Sequence, residues 1–144
     1  MTVKDTGARL ITGFHHALLR VTGGPVGRSL AGMPVVVLHT TGRRSGEPRR
    51  TMLTAPVVDG DTVVLVASYG GDDRHPAWYL NLTANPDVEV ELHGATRPMR
   101  ARTATAEEKA AYWPRITKAY RGYAAYQRRT DRDIPVVLLT PRTA

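Results

Sequence analysis

The chain has no cysteine among its 144 residues, which excludes disulfides, thiolate catalysis, iron–sulfur clusters and cysteine-ligated zinc. It also has no apolar run near the roughly 20 residues that span a bilayer, and no charged-then-apolar leader at its start. These absences lead us to expect a cytoplasmic protein that does not span a membrane. Internal repeats and low-complexity tracts are missing too, and the length suits a single domain. Hydrophobic residues at 42% and charged residues at 23% are ordinary globular values, so a core that stands without staples is expected.

Familiar chemical signatures are equally scarce. Ser45 lies in Gly42-Arg43-Arg44-Ser45-Gly46, which lacks the G-x-S-x-G spacing of a nucleophile elbow and the residue order of a phosphate-binding P-loop. Gly23, Gly24 and Gly27 do not form the dinucleotide fingerprint. His15, His16, His39, His75 and His93 show no ligand spacing, so no metal site is expected. Asp72-Asp73 reads as a polar turn rather than a catalytic carboxylate pair. If the protein is an enzyme, its reactive atom therefore belongs to a cofactor.

What the sequence does have is positive charge: 20 Lys and Arg against 13 Asp and Glu, or +7. Such a field favours an anionic partner, whether nucleic acid, an acidic membrane surface or a small polyanion. Leu10, Phe14, Leu18 and Val21 recur at helical spacing, predicting an amphipathic helix over 9–21, with residues 1–30 as helix plus linker and 31–144 as the main domain. That helix either packs on the domain or touches a membrane surface. Strands are predicted over 34–41, 49–58, 62–68, 88–92, 96–103 and 134–140, with an Asp59-Gly60 turn joining the second and third. Helices are predicted over 76–85 and from about Ala106. Thr105 and Glu108 form a capping box for the second, and Pro114 is expected to kink or restart it. Six short antiparallel strands with helices between hairpins suggest a mainly β, α+β domain built as a small barrel or curved sheet.

Three segments carry chemistry. Gly42 to Arg50 sets Arg43, Arg44, Arg49 and Arg50 around two glycines and a proline; guanidinium forks there would bind phosphate or carboxylate, or the segment is a solvated basic loop. Ser68-Tyr69-Gly70-Gly71 joins a strand end to a helix start, where backbone amides could hold an anion or a polar ring edge. Tyr120, Tyr123 and Tyr126, three apart, share a helical face that either packs in the core or closes over a planar ligand. The Asn81-Leu82-Thr83 sequon is read as chance.

With these segments in place the sequence resembles the deazaflavin-dependent nitroreductase family, oxidoreductases that use coenzyme F420 on a flavin-reductase-like split β-barrel. The resemblance runs from Pro34 to Pro141 through Thr41-Gly42-Arg43-Arg44-Ser45-Gly46-Glu47-Pro48-Arg49, then Ala67-Ser68-Tyr69-Gly70-Gly71, Pro76-Ala77-Trp78-Tyr79-Leu80-Asn81-Leu82, Tyr112-Trp113-Pro114 and Tyr120 to Asp131. It implies a six-stranded antiparallel split barrel with peripheral helices. It also implies a cofactor site at Thr41, Gly42, Arg43, Arg44, Arg49, Thr51, Ser68, Tyr69, Gly70, Gly71, Pro76 and Trp78. The implied acceptor pocket is Thr54, Trp78, Tyr120, Tyr123 and Tyr126, with Ser68, Tyr123 and Tyr126 as the groups meeting charge on the acceptor. Thr54 and Tyr69 depart from one type of member, which has tyrosine and lysine there, and this bears on acceptor identity.

The implied reaction moves a hydride from reduced F420 to a small electron acceptor: a quinone, an activated alkene or a nitro compound. Such a transfer needs the reacting atoms aligned at roughly 3 to 3.5 Å with water excluded, and no protein nucleophile. The implied partners are that acceptor and, by analogy with paired split barrels, a second copy of the chain. Two other readings stay open on the residues alone: an FMN-dependent reductase on the same scaffold, and a non-catalytic basic module for nucleic acid or membrane. Against nucleic acid, the aromatic clusters are not interleaved with basic residues.

Overall fold

β-branched residues and period-two alternation fill much of the chain from Met33 onward, and strands form where they do. The computed structural model describes residues 29–143. The helix expected over 9–21, and with it the membrane contact it was read to offer, lie outside the described residues. Strands are β1 (Ser29–Leu30), β2 (Met33–Thr41), β3 (Pro48–Thr54), β4 (Val57–Asp59), β5 (Thr62–Val66), β6 (Asp87–Leu92), β7 (Ala95–Thr103) and β8 (Val136–Pro141). Helices are α1 (Ala77–Ala84), α2 (Ala106–Ala119) and α3 (Gly122–Arg128). All strand pairs are antiparallel, in the order β1-β2-β6-β7-β8-β5-β4, with β3 also paired to β2.

The mainly β, antiparallel expectation holds, but the described residues form eight strands rather than six. One extra strand is β1. The other arises because the strand expected over 49–58 is two: Ala55 and Pro56 interrupt it, Ala55 N–H donates to the Pro34 carbonyl at 2.9 Å, and the chain leaves β2 to pair with β5. Proline cannot donate to a ladder, so the break falls where Pro56 stands.

Alternation sorts the strands into two cores. Val36, Leu38, Leu65, Val88, Val90, Val137 and Leu139 point to one face with Trp78 and Leu82 of α1, so the sheet curls around that helix. Val64, Val66, Val136 and Leu138 point to the other, under Ile116 of α2 and Tyr123 of α3. β5 and β8 are buried on both sides, which explains their unbroken apolar runs; each fully buried aliphatic contributes about 1.5–3 kcal/mol.

The capping box forms as its residue types require: Glu108 N–H donates to the Thr105 hydroxyl at 3.1 Å, and Thr105 N–H to the Glu108 carboxylate at 3.0 Å. Arg102 grips the same carboxylate through both oxygens at 2.7 Å, and this bond above all lowers the Glu108 pKa to about 2. Pro114 does not restart the helix: α2 is one continuous helix from Ala106 to Ala119 with the proline inside it. The packing of Tyr112, Trp113 and Ile116 on the second core offsets the lost backbone hydrogen bond.

Candidate active site

β3 is an edge strand whose two faces do different work. Its inner face follows Leu53 and Thr51, the latter opposite Leu38; its outer face follows Met52 and Thr54, the latter opposite Val35. Beyond Ala55 the chain pairs with β5, with Val57 opposite Val64. Continuing that register would bring Ser68 level with Leu53, where β3 has already turned away towards β2. β3 and the end of β5 are thus left without a ladder between them, and this unpaired separation is the wedge.

At one end of β3 stands the basic loop. Gly42 N–H donates to the Glu47 carbonyl at 2.8 Å and Gly46 N–H to the Gly42 carbonyl at 2.9 Å, which folds the loop back on itself. Gly42 gives the loop room to close: a Cβ would stand 2.7 Å from the Ser45 hydroxyl oxygen, which would have to rotate away, and 3.3 Å from the Glu47 carbonyl. Arg43, Arg44, Arg49 and Arg50 are all exposed. Arg49 reaches the Ser45 hydroxyl at 3.4 Å and Glu47 at 3.8 Å. Arg43 is tied to α1: its N–H and Nη1 both donate to the buried Asn81 Oδ1, at 3.1 and 3.3 Å. Asn81 is thus a structural anchor of the loop, which agrees with reading its sequon as chance.

Across the wedge lies the second loop. Ser68 is right-handed (φ −75°, ψ −37°), and Tyr69, Gly70 and Gly71 are left-handed at φ +46°, +64° and +82°. A right-handed residue followed by a left-handed one gathers successive amides into a concavity that accepts negative charge. The pair Asp72-Asp73 is more than a polar turn: Asp72 is buried and meets Arg74 at 3.1 Å, and Asp73 accepts from Thr130 at 2.7 Å.

α3 bridges the two sides. Tyr123 shares a 3.1 Å hydrogen bond with Thr54 on β3, while the Tyr126 carbonyl lies 2.8 Å from where a Gly71 Cβ would stand. The three tyrosine rings sit 5.3 to 6.3 Å apart, mostly edge to face. They do not share one helical face as expected. Tyr120 is the extended residue that ends α2, and only Tyr123 and Tyr126 lie on α3. Burial raises the Tyr123 pKa, and burial with hydrogen bonding to Tyr120 raises that of Tyr126, so both are neutral phenols that can donate.

The structure brings together Thr54, Tyr120, Tyr123, Tyr126 and Gly71, and it places Arg43, Arg44 and Arg49 at the far end of β3. It does not bring Trp78 to the tyrosines. Trp78 is 7% exposed and packs in the first core, on the opposite face of the sheet, because α1 turns residues 78, 81 and 82 inward. Thr41 and Thr51 are half-buried along the strands, and Pro76 is buried at the start of α1. Asn81, Arg129 and Arg132 were missed by sequence reasoning. Asn81 alone left a signal, as an amide within an otherwise apolar helix.

His75 lies on the same loop, with its ring centroid 4.9 Å from that of Tyr79. Burial, then the Arg132 charge, lowers its pKa below 6.5. An unfolded chain takes up this proton near 6.5 and the folded one only at lower pH, so stability should fall as pH drops below 6.5. Denaturant titrations of wild type and His75→Gln between pH 5 and 7.5 check this: the wild-type slope should be steeper, and identical slopes would remove His75 as its source.

Phenols, backbone amides and guanidiniums surround this wedge, and together they suit a flat molecule with a negatively charged appendage. Residues 12–141 match the family described as F420H(2)-dependent quinone reductase. An F420H(2)-dependent quinone reductase of Mycobacterium tuberculosis (strain H37Rv) is 40% identical over 143 residues, covering 96% of this chain and 95% of its own length. Among solved structures, an F420-H2 dependent reductase, FDR-A, is 41% identical with a TM-score of 0.68, covering 74% of this chain and 93% of that one. Another, solved as a domain-swapped dimer, is 35% identical with a TM-score of 0.69, covering 92% and 98%. The chain belongs to the F420H(2)-dependent quinone reductase family. Of the three readings left open by the residues, it is the F420-dependent oxidoreductase that these similarities carry.

Proposed function

We propose that this chain reduces a quinone on a split-barrel scaffold, with Arg43, Arg44 and Arg49 holding the anionic tail of F420 and its ring seated in the wedge between β3 and Ser68–Gly71. Bound F420H2 supplies the hydride. The chain's part is to bind, align and exclude water. Arg49 and Thr54 are five residues apart on one strand, about 17 Å, so an elongated molecule lying along β3 meets both the basic loop and the phenols. Gly70 presents bare backbone to the ring, Gly71 lets α3 close on the loop behind it, and Thr41, Gly42, Thr51 and Pro76 shape the walls. Trp78 supports α1 from within the core rather than touching the acceptor.

The phenols supply what the acceptor needs. Reducing a quinone builds negative charge on its oxygens, and preorganised donors at that point lower the barrier. Tyr126 and Ser68 are the proposed donors, with Tyr120, 36% exposed, at the entrance and Tyr123 behind them, buried with its hydroxyl held by Thr54 and Met33. The observation that carries this reading is α3 tying β3 to the Ser68 loop through Tyr123 and Gly71. One relative is a domain-swapped dimer, and pairing of this chain is proposed on that likeness.

Steady-state turnover with F420H2 and a soluble naphthoquinone, followed as oxidised F420 reappears, tests the proposal; saturable turnover is expected, and none would refute it. Gly122 sharpens the test, because a Cβ there would collide with the Tyr120 ring. Gly122→Ala should displace that ring, raising the quinone KM several-fold while leaving the F420 dissociation constant unchanged. An unchanged quinone KM would remove Tyr120 from the entrance.

A further inference from the structure

Arg132 follows α3 and lies far in sequence from the loop it holds. Its Nε donates to the Asp72 carbonyl at 2.8 Å, and its Nη2 donates to the carbonyls of Ser68 at 2.8 Å and Ala67 at 3.2 Å. Its Nη1 lies 3.2 Å from His75 Nδ1. One guanidinium thus engages four acceptors across the nine residues from Ala67 to His75. An arginine that is always charged must accept from nothing, so all four partners present lone pairs to it, His75 Nδ1 included. That fixes the imidazole proton on Nε2.

The consequence lies on the other side of the loop. The described peptide bonds are all trans, and in a planar trans peptide the N–H points opposite to the carbonyl. Drawing the Ala67 and Ser68 carbonyls towards Arg132 therefore turns the Ser68 and Tyr69 amides away from it. These are the amides of the right-handed to left-handed step that forms the concavity. The left-handed backbone of Tyr69 is disfavoured for a residue with a side chain, and it persists only where the surroundings over-determine it.

We propose that Arg132 is the positioning residue of the cofactor loop: its guanidinium holds three carbonyls back so that the Ser68 and Tyr69 amides face the ring site. This rests on the reading that the deazaflavin ring occupies the wedge. A lysine in its place keeps the charge but offers a single nitrogen, which cannot span the same set of acceptors. The guanidinium acts through the loop and does not touch the acceptor.

The test compares wild type, Arg132→Lys and Arg132→Ala by quenching of F420 fluorescence, at a temperature well below each variant's melting midpoint so that every chain is folded. Arg132→Lys should bind F420 on the order of tenfold more weakly, with kcat lowered and the quinone KM little changed. Millimolar guanidinium ion should restore affinity to Arg132→Ala, and ammonium ion should not. If Arg132→Ala does not fold, the lysine variant decides alone. Nitrogen-15 spectra add a readout that needs no cofactor: His75 should be the Nε2–H tautomer in wild type and lose that preference in Arg132→Lys. Wild-type F420 affinity in Arg132→Lys, or a folded Arg132→Ala that guanidinium does not rescue, overturns the proposal. If wild type itself fails to quench F420, the ring-site reading has failed and takes this proposal with it.

Discussion

Replacing Arg43 and Arg49 together with alanine should raise the dissociation constant for F420 by at least about thirtyfold. Each charged contact to a phosphate or carboxylate is worth roughly 1–3 kcal/mol, and tenfold in affinity is about 1.4 kcal/mol. Arg49 is poised beside Ser45 and Glu47, and Arg43 is tethered to Asn81 through its own backbone, so the loop is shaped before ligand arrives. The loss should fall on cofactor binding. With F420H2 saturating, the quinone KM should be close to wild type, because the proposed acceptor site lies at the tyrosines, at the other end of β3. Fluorescence titration with parallel steady-state kinetics checks both halves. An unchanged dissociation constant would place the anionic tail somewhere else.

Gly71→Ala should be the most damaging single-atom-group addition in the loop. At φ +82° a Cβ costs about 1–2 kcal/mol in backbone strain alone. The added carbon would also lie 2.8 Å from the Tyr126 carbonyl oxygen and 3.0 Å from Arg129 Cβ, so α3 would have to lift from the loop. Together these effects amount to about 3 kcal/mol or more, a fall in melting temperature of roughly 10 °C for a chain of this size. Gly60→Ala is the control: its φ is +61°, but nothing lies within 4 Å of its Cβ, so only the strain is felt. A Gly71→Ala protein that melts like Gly60→Ala would show that α3 does not close on the loop.

Much of the fold was legible because the deciding signals are local. The β-branched run from Pro34, the Asp59-Gly60 turn with Gly60 at φ +61°, and the Thr105–Glu108 box each specify their own element. Two prolines misled, for opposite reasons: Pro56 breaks a strand that alternation alone would continue, because its local cost decides there, whereas Pro114 rides within a continuous α2 packed on the second core. Pro98 sits inside β7 opposite Glu89, within the strand expected over 96–103. The basic loop of the site was legible for the same local reason, since glycine, proline and arginine are close in sequence. The clamp from Arg129 and Arg132 was not. Arg129 reaches the Gly70 carbonyl at 3.1 Å across 59 positions, and Arg132 spans 57 to 65 positions to its partners. A guanidinium that bonds backbone carbonyls leaves no pattern in the residues it holds. The burial of Trp78 in the first core was not legible, because a tryptophan in a motif near a strand end says nothing about which face of the sheet its helix covers.

In the proposed arrangement, guanidiniums at Arg43, Arg44 and Arg49 hold the anionic tail of F420 while its ring lies along β3. Titrating wild-type protein, in the same buffer, with F420 and with the same deazaflavin ring lacking the phosphodiester and glutamate tail separates the contribution of that tail. F420 should bind at least tenfold more tightly, and this advantage should shrink steadily as salt is raised, because charge attraction supplies it. Equal affinity for the two molecules, at low salt, would contradict that arrangement.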